Sequence, residues 1–85
     1  MTIRAATREI GGVTVIDLDG RITLGEGSAL LRDIIRKNLD AGHKKIVMNL
    51  AGISYIDSTG LGELVSAYRL VKGQGGELKL LNLNK

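Results

Sequence analysis

Apolar residues along the chain follow two spacings, and the change between them outlines the secondary structure. Ile3 to Ile10 and Val13 to Asp19 combine partial alternation with many β-branched side chains, which is typical of strands. Gly11 and Gly12 separate these segments and form the two-residue loop that suits strand reversal. The first two strands are therefore predicted to form an antiparallel hairpin.

Two later segments have the spacing of amphipathic helices. The first extends from about Ser28 to Leu39 and is followed by Gly42, a residue that tolerates the left-handed conformation beyond a helix end. The second begins near Ser58 and ends around Gly73. The side chains predicted to be buried are Leu30, Leu31, Ile34, Ile35 and Leu39 in the first helix, and Leu61, Leu64, Val65, Tyr68 and Val71 in the second.

Two apolar segments complete the pattern. Ile46 to Leu50 is short and almost wholly apolar, which is typical of a strand buried on both faces, and Glu77 to Leu83 is predicted to be the last strand. The order β-β-α-β-α-β predicts an α/β fold, because strand-helix-strand passages join parallel strands by right-handed crossovers. We expect a mixed four-stranded sheet with the first strand antiparallel at one edge and both helices on one side.

Composition narrows the functional classes. The 85 residues make one small domain, and with only 2% aromatic residues its core must be aliphatic. A net charge of +3 and few aromatic side chains do not favour nucleic-acid binding. No apolar run approaches the roughly 20 residues of a membrane span, so membrane insertion is not expected. The absence of cysteine fits a reducing cytoplasm.

The segment from Asp57 to Gly62 carries the most specific signal. It places an acid, two hydroxyls and two glycines at a helix start, where free amides and the helix dipole accommodate a phosphate. Asp57 or Ser58 could simply cap the helix. Gly60 and Gly62, however, each cost up to ~1 kcal/mol relative to alanine in a first turn. We interpret them as keeping the turn unobstructed for the approach of another protein.

Catalytic, cofactor and metal sites are not indicated. The only histidine, His43, is predicted to lie at the opposite end of a parallel strand from Ser58, which argues against a serine nucleophile with a histidine base. The glycine clusters at residues 25–27 and 73–76 lack the residues of a phosphate-binding loop and are predicted to be turns. Without cysteine, and with scattered carboxylates, the chain offers no metal-ligand spacing.

The element order, together with Asp57-Ser58-Thr59-Gly60-Leu61-Gly62 at the second helix start, resembles a STAS domain, and specifically the bacterial anti-sigma-factor antagonists. The resemblance covers essentially the whole chain, residues 1–85. Supporting features are Gly20-Arg21-Ile22 after the second strand, Asn49-Leu50 at the end of the third, and Gly75-Gly76-Glu77-Leu78 at the start of the last.

The resemblance implies a non-enzymatic partner switch without a cofactor. Ser58 would be phosphorylated, with Thr59 the weaker candidate, by an anti-sigma factor that is also a serine kinase. The unphosphorylated antagonist would bind that kinase and free the sigma factor, and a phosphatase would restore it. The residues expected to contact the partner are Thr23, Asp57, Ser58, Thr59, Gly60, Leu61 and Gly62. The alternative is a STAS scaffold or transporter-associated subunit that acts by assembly.

Two features depart from the family pattern. Many members carry an acidic residue in the loop after the second strand, where this chain has Thr23. Members also usually continue through a further strand or helix, whereas this sequence ends at Lys85. We therefore expect an open sheet edge or an uncovered apolar face that favours homodimer formation.

Overall fold

The structure is a computed structural model that describes residues 3–82 of the chain. Its elements are β1 (Ile3–Ile10), β2 (Val13–Ile22), α1 (Glu26–Asp40), β3 (Lys45–Ile56), α2 (Ser58–Gly73) and β4 (Glu77–Leu81). The predicted order β-β-α-β-α-β is confirmed. The end of the predicted last strand, at Leu83, lies outside the described residues.

The four strands form one mixed sheet in the order β1-β2-β3-β4. The hairpin strands β1 and β2 are antiparallel, whereas β2, β3 and β4 are parallel to one another. Because β2 and β3 run in the same direction and Ile22 is paired with Ile56, the C-terminal ends of the two strands lie side by side. This register brings the β2–α1 loop beside the start of α2.

Strand β3 is longer than its apolar pattern predicts. The expected strand stopped at Leu50, but β3 continues to Ile56. The pairing with β2 shifts twice, between Asp17 and Asp19 and between Gly20 and Arg21, so β3 carries extra residues that interrupt its alternation. The prediction that this strand is buried on both faces is also wrong, because Val47 and Asn49 are only half-buried.

The core lies between the sheet and the two helices, which pack on one face as predicted. It is aliphatic and contains no aromatic side chain among the described residues. Alternating positions of the strands supply one layer, exemplified by Ile16, Ile46 and Met48, and the helices supply the other. Neither helix in residues 3–82 is long and apolar enough to cross a lipid bilayer.

The predicted buried side of α2 is confirmed for Leu64 and Val71 but not for its other three members. Gly60, Leu64, Ala67 and Val71 face the sheet, whereas Leu61, Val65 and Tyr68, which were expected to be buried, are about half exposed. At 100° per residue these three side chains lie about a quarter turn away from the buried line. They form one exposed strip on α2, called here the α2 flank. In α1, Leu30 is likewise partly exposed, at 37%.

The sheet face away from the helices is polar at its centre. Arg4 pairs with Asp19 at 2.8 Å, and Arg8 pairs with Asp17 at 2.7 Å. Asn49 donates to Asp17 at 2.9 Å, so the polar contacts extend across three strands. Such exposed ion pairs contribute little to the stability of the fold. Homodimer formation through this face or through an open sheet edge stays a prediction.

The rotation of α1 is tested by two substitutions of similar chemistry. Ile35 is fully buried, so Ile35→Ala should lower the free energy of unfolding by about 2–5 kcal/mol. Leu30→Ala, in the same helix, should lower it by only about 1–2 kcal/mol, because Leu30 is already 37% exposed. Urea unfolding of the three proteins measures both values, and equal losses would contradict the described rotation.

Candidate phosphorylation and partner-binding site

Asp57 caps α2 and also holds a second segment of the chain. Its Oδ1 accepts a hydrogen bond from the Gly60 amide at 2.7 Å, which satisfies a first-turn donor of the helix. Its Oδ2 accepts from the Leu24 amide, in the β2–α1 loop, at 3.1 Å. The prediction that this position caps the helix is confirmed for Asp57. The same carboxylate also fixes the loop to the helix start.

These hydrogen bonds change the acidity of the carboxyl group. The Gly60 amide, and after it the Leu24 amide, stabilises the charged form and lowers the pKa of Asp57 below its usual value. Asp57 is therefore ionised at neutral pH and places a negative charge next to Ser58. A phosphate added to Ser58 would have to share this small region with that charge.

A close backbone approach lies beneath the cap. The Asp57 amide donates to the Ile22 carbonyl at 3.2 Å. Gly60 is buried against the same carbonyl, and a β-carbon at this position would collide with it. Packing against β2 thus requires glycine at position 60, which corrects the interpretation that Gly60 clears space for a partner. Gly62 is different, because it is exposed and a β-carbon there would meet nothing within 4 Å.

The contact of Ile22 at the end of β2 with Asp57 and Gly60 at the start of α2 is called here the β2–α2 joint. The remaining predicted contact residues lie around this joint. Ser58, Thr59 and Leu61 are exposed at the first turn of α2. Thr23 is half-buried in the loop that Asp57 holds, between Ile22 and Leu24. The structure therefore brings Thr23 to the helix start, from 34 positions earlier in the chain than Asp57. Whether these residues contact a partner stays a prediction.

Sequence reasoning missed Leu24, which is the most exposed large apolar side chain in the described part of the chain. An isolated leucine between Thr23 and Gly25, outside the apolar spacing of either neighbouring element, was the available signal. The double role of Asp57 was also missed, because a capping residue is recognisable from local sequence and a contact 33 residues away is not.

The other candidate chemistries lie elsewhere in the structure. His43 precedes β3 while Ser58 follows it, so they lie at opposite ends of that strand. The His43 Nδ1 is 3.2 Å from the Asn38 Oδ1. Within residues 3–82, no group of three or more histidine or carboxylate side chains is arranged to hold a metal ion.

A sequence model of the STAS domain matches residues 4–85. The chain belongs to the STAS domain family. This agrees with the fold and with the position of the Asp57–Gly62 segment at the start of α2.

Two curated relatives are anti-sigma-factor antagonists. Over 36 residues the chain is 56% identical to the anti-sigma-B factor antagonist of Bacillus subtilis, a match that covers 42% of this chain and 33% of that protein. Over 78 residues it is 27% identical to the anti-sigma F factor antagonist of Paenibacillus polymyxa, covering 86% and 62%. The matches thus span from a third to less than two thirds of these relatives.

Solved structures share the fold. The anti-sigma factor antagonist SpoIIAA in its unphosphorylated form superposes with a TM-score of 0.76 at 23% identity, over 96% of this chain and 76% of that one. Its phosphorylated form gives 0.74 over 95% and 74%. At this identity the likeness shows the fold alone. The same holds for the murine anion transporter Slc26a9, which matches over only 13% of its chain.

The joint between Gly60 and Ile22 is tested by alanine at both glycines of the first turn. Gly60→Ala should lower the free energy of unfolding by about 3 kcal/mol, because the backbone of β2 has to move. Gly62→Ala is the matched control and should raise it by up to ~1 kcal/mol through helix propensity. Urea unfolding distinguishes them, and an equal response would show that Gly60 is not packed as described.

The lowered pKa of Asp57 predicts a pH dependence. Its folded pKa lies below the unfolded value of about 3.9, so its stabilising contribution is complete above that value. The contribution is lost as the pH falls through the folded pKa. The difference in unfolding free energy between wild type and Asp57→Asn should therefore be constant from about pH 5 to 7 and should shrink below about pH 4.

Chemical denaturation at several pH values measures this difference. Hydrogen bonds from Arg8 and Asn49 also lower the pKa of Asp17. Asp17 is present in both proteins, so its contribution to the pH dependence of the unfolding free energy cancels in the difference. A difference that does not change with pH would mean that the Asp57 carboxylate is not held as described.

Proposed function

We propose that this protein is an anti-sigma-factor antagonist whose binding to an anti-sigma factor is controlled by phosphorylation of Ser58. One observation carries the proposal: Ser58 presents a hydroxyl at the first residue of α2, next to the exposed α2 flank formed by Leu61, Val65 and Tyr68. A modifiable group thus borders an apolar surface that a partner could cover. The named relatives, which are antagonists of anti-sigma factors, support this role.

The physical effect of the modification follows from its position. A phosphoserine adds about −1.5 to −2 charges at neutral pH, beside the ionised Asp57. In a docked, desolvated interface this charge is repelled unless the partner supplies a cation. A hundredfold loss of affinity, about 2.7 kcal/mol, would be enough to release a partner present near its dissociation constant. The helix start accommodates the phosphate, so the domain need not unfold.

The proposed cycle needs two partners of this protein in the bacterial cytoplasm, a phosphatase and an anti-sigma factor that is also a kinase. An anti-sigma factor with serine kinase activity binds the unphosphorylated protein and thereby releases its sigma factor. The same kinase then phosphorylates Ser58, with Thr59 the weaker acceptor, and the complex dissociates. A phosphatase removes the phosphate. This chain supplies the contact surface formed by Thr23 and the residues from Asp57 to Gly62 and performs no catalysis itself.

The proposal is tested by affinity capture from a lysate of the source organism, read by mass spectrometry. Wild type and Ser58→Ala should retain an ATP-binding anti-sigma factor, whereas Ser58→Asp should lose it because of the added charge. Ser66→Asp is the matched control, since Ser66 is exposed on α2 but faces α1 rather than the α2 flank. This variant should bind like wild type.

A second arm incubates the purified kinase, ATP and the wild-type protein, and then locates the phosphate by fragmentation. Phosphate on Ser58 is the expected result. Retention of the same scaffold or transporter subunits by all four proteins, without phosphorylation, would contradict the partner switch and support the assembly alternative.

A further inference from the structure

Leu24 combines an exposed apolar side chain with a firmly held backbone. Its side chain is 76% exposed, in the β2–α1 loop. An isolated exposed leucine needs no explanation by itself, because much of any protein surface is apolar. The way in which its loop is fixed sets this leucine apart.

Four hydrogen bonds hold the three residues of the loop. The Leu24 amide donates to the Asp57 carboxylate at 3.1 Å, and the Thr23 carbonyl accepts from the Ser28 amide at 3.2 Å. The Gly25 carbonyl accepts from the Ser28 hydroxyl at 3.2 Å and from the Ala29 amide at 3.1 Å. The loop is thus anchored to both helices, and the Leu24 side chain projects from a backbone with little freedom.

Such an arrangement is preorganised for binding. A partner that covers Leu24 gains the burial of an apolar side chain without having to order the loop that carries it. The Leu24 amide also shares the Asp57 carboxylate with the Gly60 amide, which places the loop beside the first turn of α2. Leu24 and Ser58 thus belong to one continuous surface.

We propose that Leu24 is an apolar anchor for the anti-sigma factor and that Asp57 is the positioning residue that holds it in place. This inference rests on the proposed function and extends it, since it adds Leu24 to the contact surface formed by Thr23 and the residues from Asp57 to Gly62. It also gives Asp57 a role beyond helix capping. The negative charge of a phosphate on the adjacent Ser58 would act on the same carboxylate that holds Leu24.

The test uses the purified anti-sigma factor identified by the wild-type protein, titrated calorimetrically. Leu24→Ala should weaken binding by about tenfold to a hundredfold, the range expected for burial of a leucine side chain. Ile10→Ala is the matched control, because Ile10 is 56% exposed and lies at the hairpin turn, at the other end of the sheet. It should bind within about twofold of wild type, and both variants should unfold at the same urea concentration as wild type.

Asp57→Asn separates positioning from capping. Asparagine is as good a cap as aspartate. The Gly60 and Leu24 amides donate to different oxygens of the Asp57 carboxylate, and asparagine replaces one of these oxygens by an NH2 group, which donates and cannot accept. With the oxygen kept on Gly60, the hydrogen bond from Leu24 is lost. We expect faster hydrogen exchange at the Leu24 amide, unchanged helix content and weaker binding. Unchanged exchange at Leu24 would overturn the positioning role of Asp57.

The outcomes separate this inference from the proposed function. If the Leu24→Ala variant binds the anti-sigma factor as tightly as wild type, while Ser58→Asp does not bind it, the role of Leu24 as an anchor is overturned and the partner switch still stands. If the wild-type protein binds no anti-sigma factor, the partner switch and the anchor both fail. Weakening by Leu24→Ala but not by Ile10→Ala supports the anchor.

Discussion

The joint between the end of β2 and the start of α2 is the contact on which the candidate site depends. The Ile22 carbonyl accepts from the Asp57 amide and packs against Gly60, while the Asp57 carboxylate accepts amides from Gly60 and Leu24. Two segments that are far apart in sequence are thereby fixed to one another through main-chain groups and the Asp57 side chain. A side chain larger than that of glycine at position 60 would separate them.

The parallel pairing of β2 and β3 makes this joint possible. The two strands run in the same direction and Ile22 is paired with Ile56. The segments that follow them therefore begin side by side, at the C-terminal ends of the strands. One segment becomes the β2–α1 loop and the other becomes α2. Binding sites in open parallel sheets commonly lie at these strand ends, because loops and helix starts converge there. The same geometry places His43 at the other end of β3, far from Ser58.

The element order and the cap could be predicted because they depend on local patterns. Apolar spacing located both helices, and the Asp57–Gly62 segment located the start of α2. The second half of β3 could not be predicted in the same way, because the two register shifts interrupt its alternation and Gly52 weakens the strand signal. Glycine is required there because an added β-carbon would lie 2.8 Å from the Leu18 carbonyl oxygen of β2 and 2.6 Å from the Asp19 carboxylate.

The buried side of α2 could be predicted only in part, for a related reason. Leu61, Val65 and Tyr68 are as apolar as the residues that face the sheet, so spacing alone cannot decide which strip is buried. Gly60 decides it, because only glycine permits the approach to Ile22, and that contact turns Leu64 and Val71 toward the sheet. The apolar side chains left exposed adjoin Ser58. The α2 flank, which the apolar spacing predicts to be buried, is thus part of the surface that a partner could cover.

The central claim is that a phosphate on Ser58 controls binding to the anti-sigma factor. The most direct measurement compares the dissociation constants of that factor for the Ser58-phosphorylated protein and for the same sample after treatment with a phosphatase. The account predicts at least about a hundredfold weaker binding of the phosphorylated protein, restored by removal of the phosphate. Equal dissociation constants before and after the treatment would contradict it.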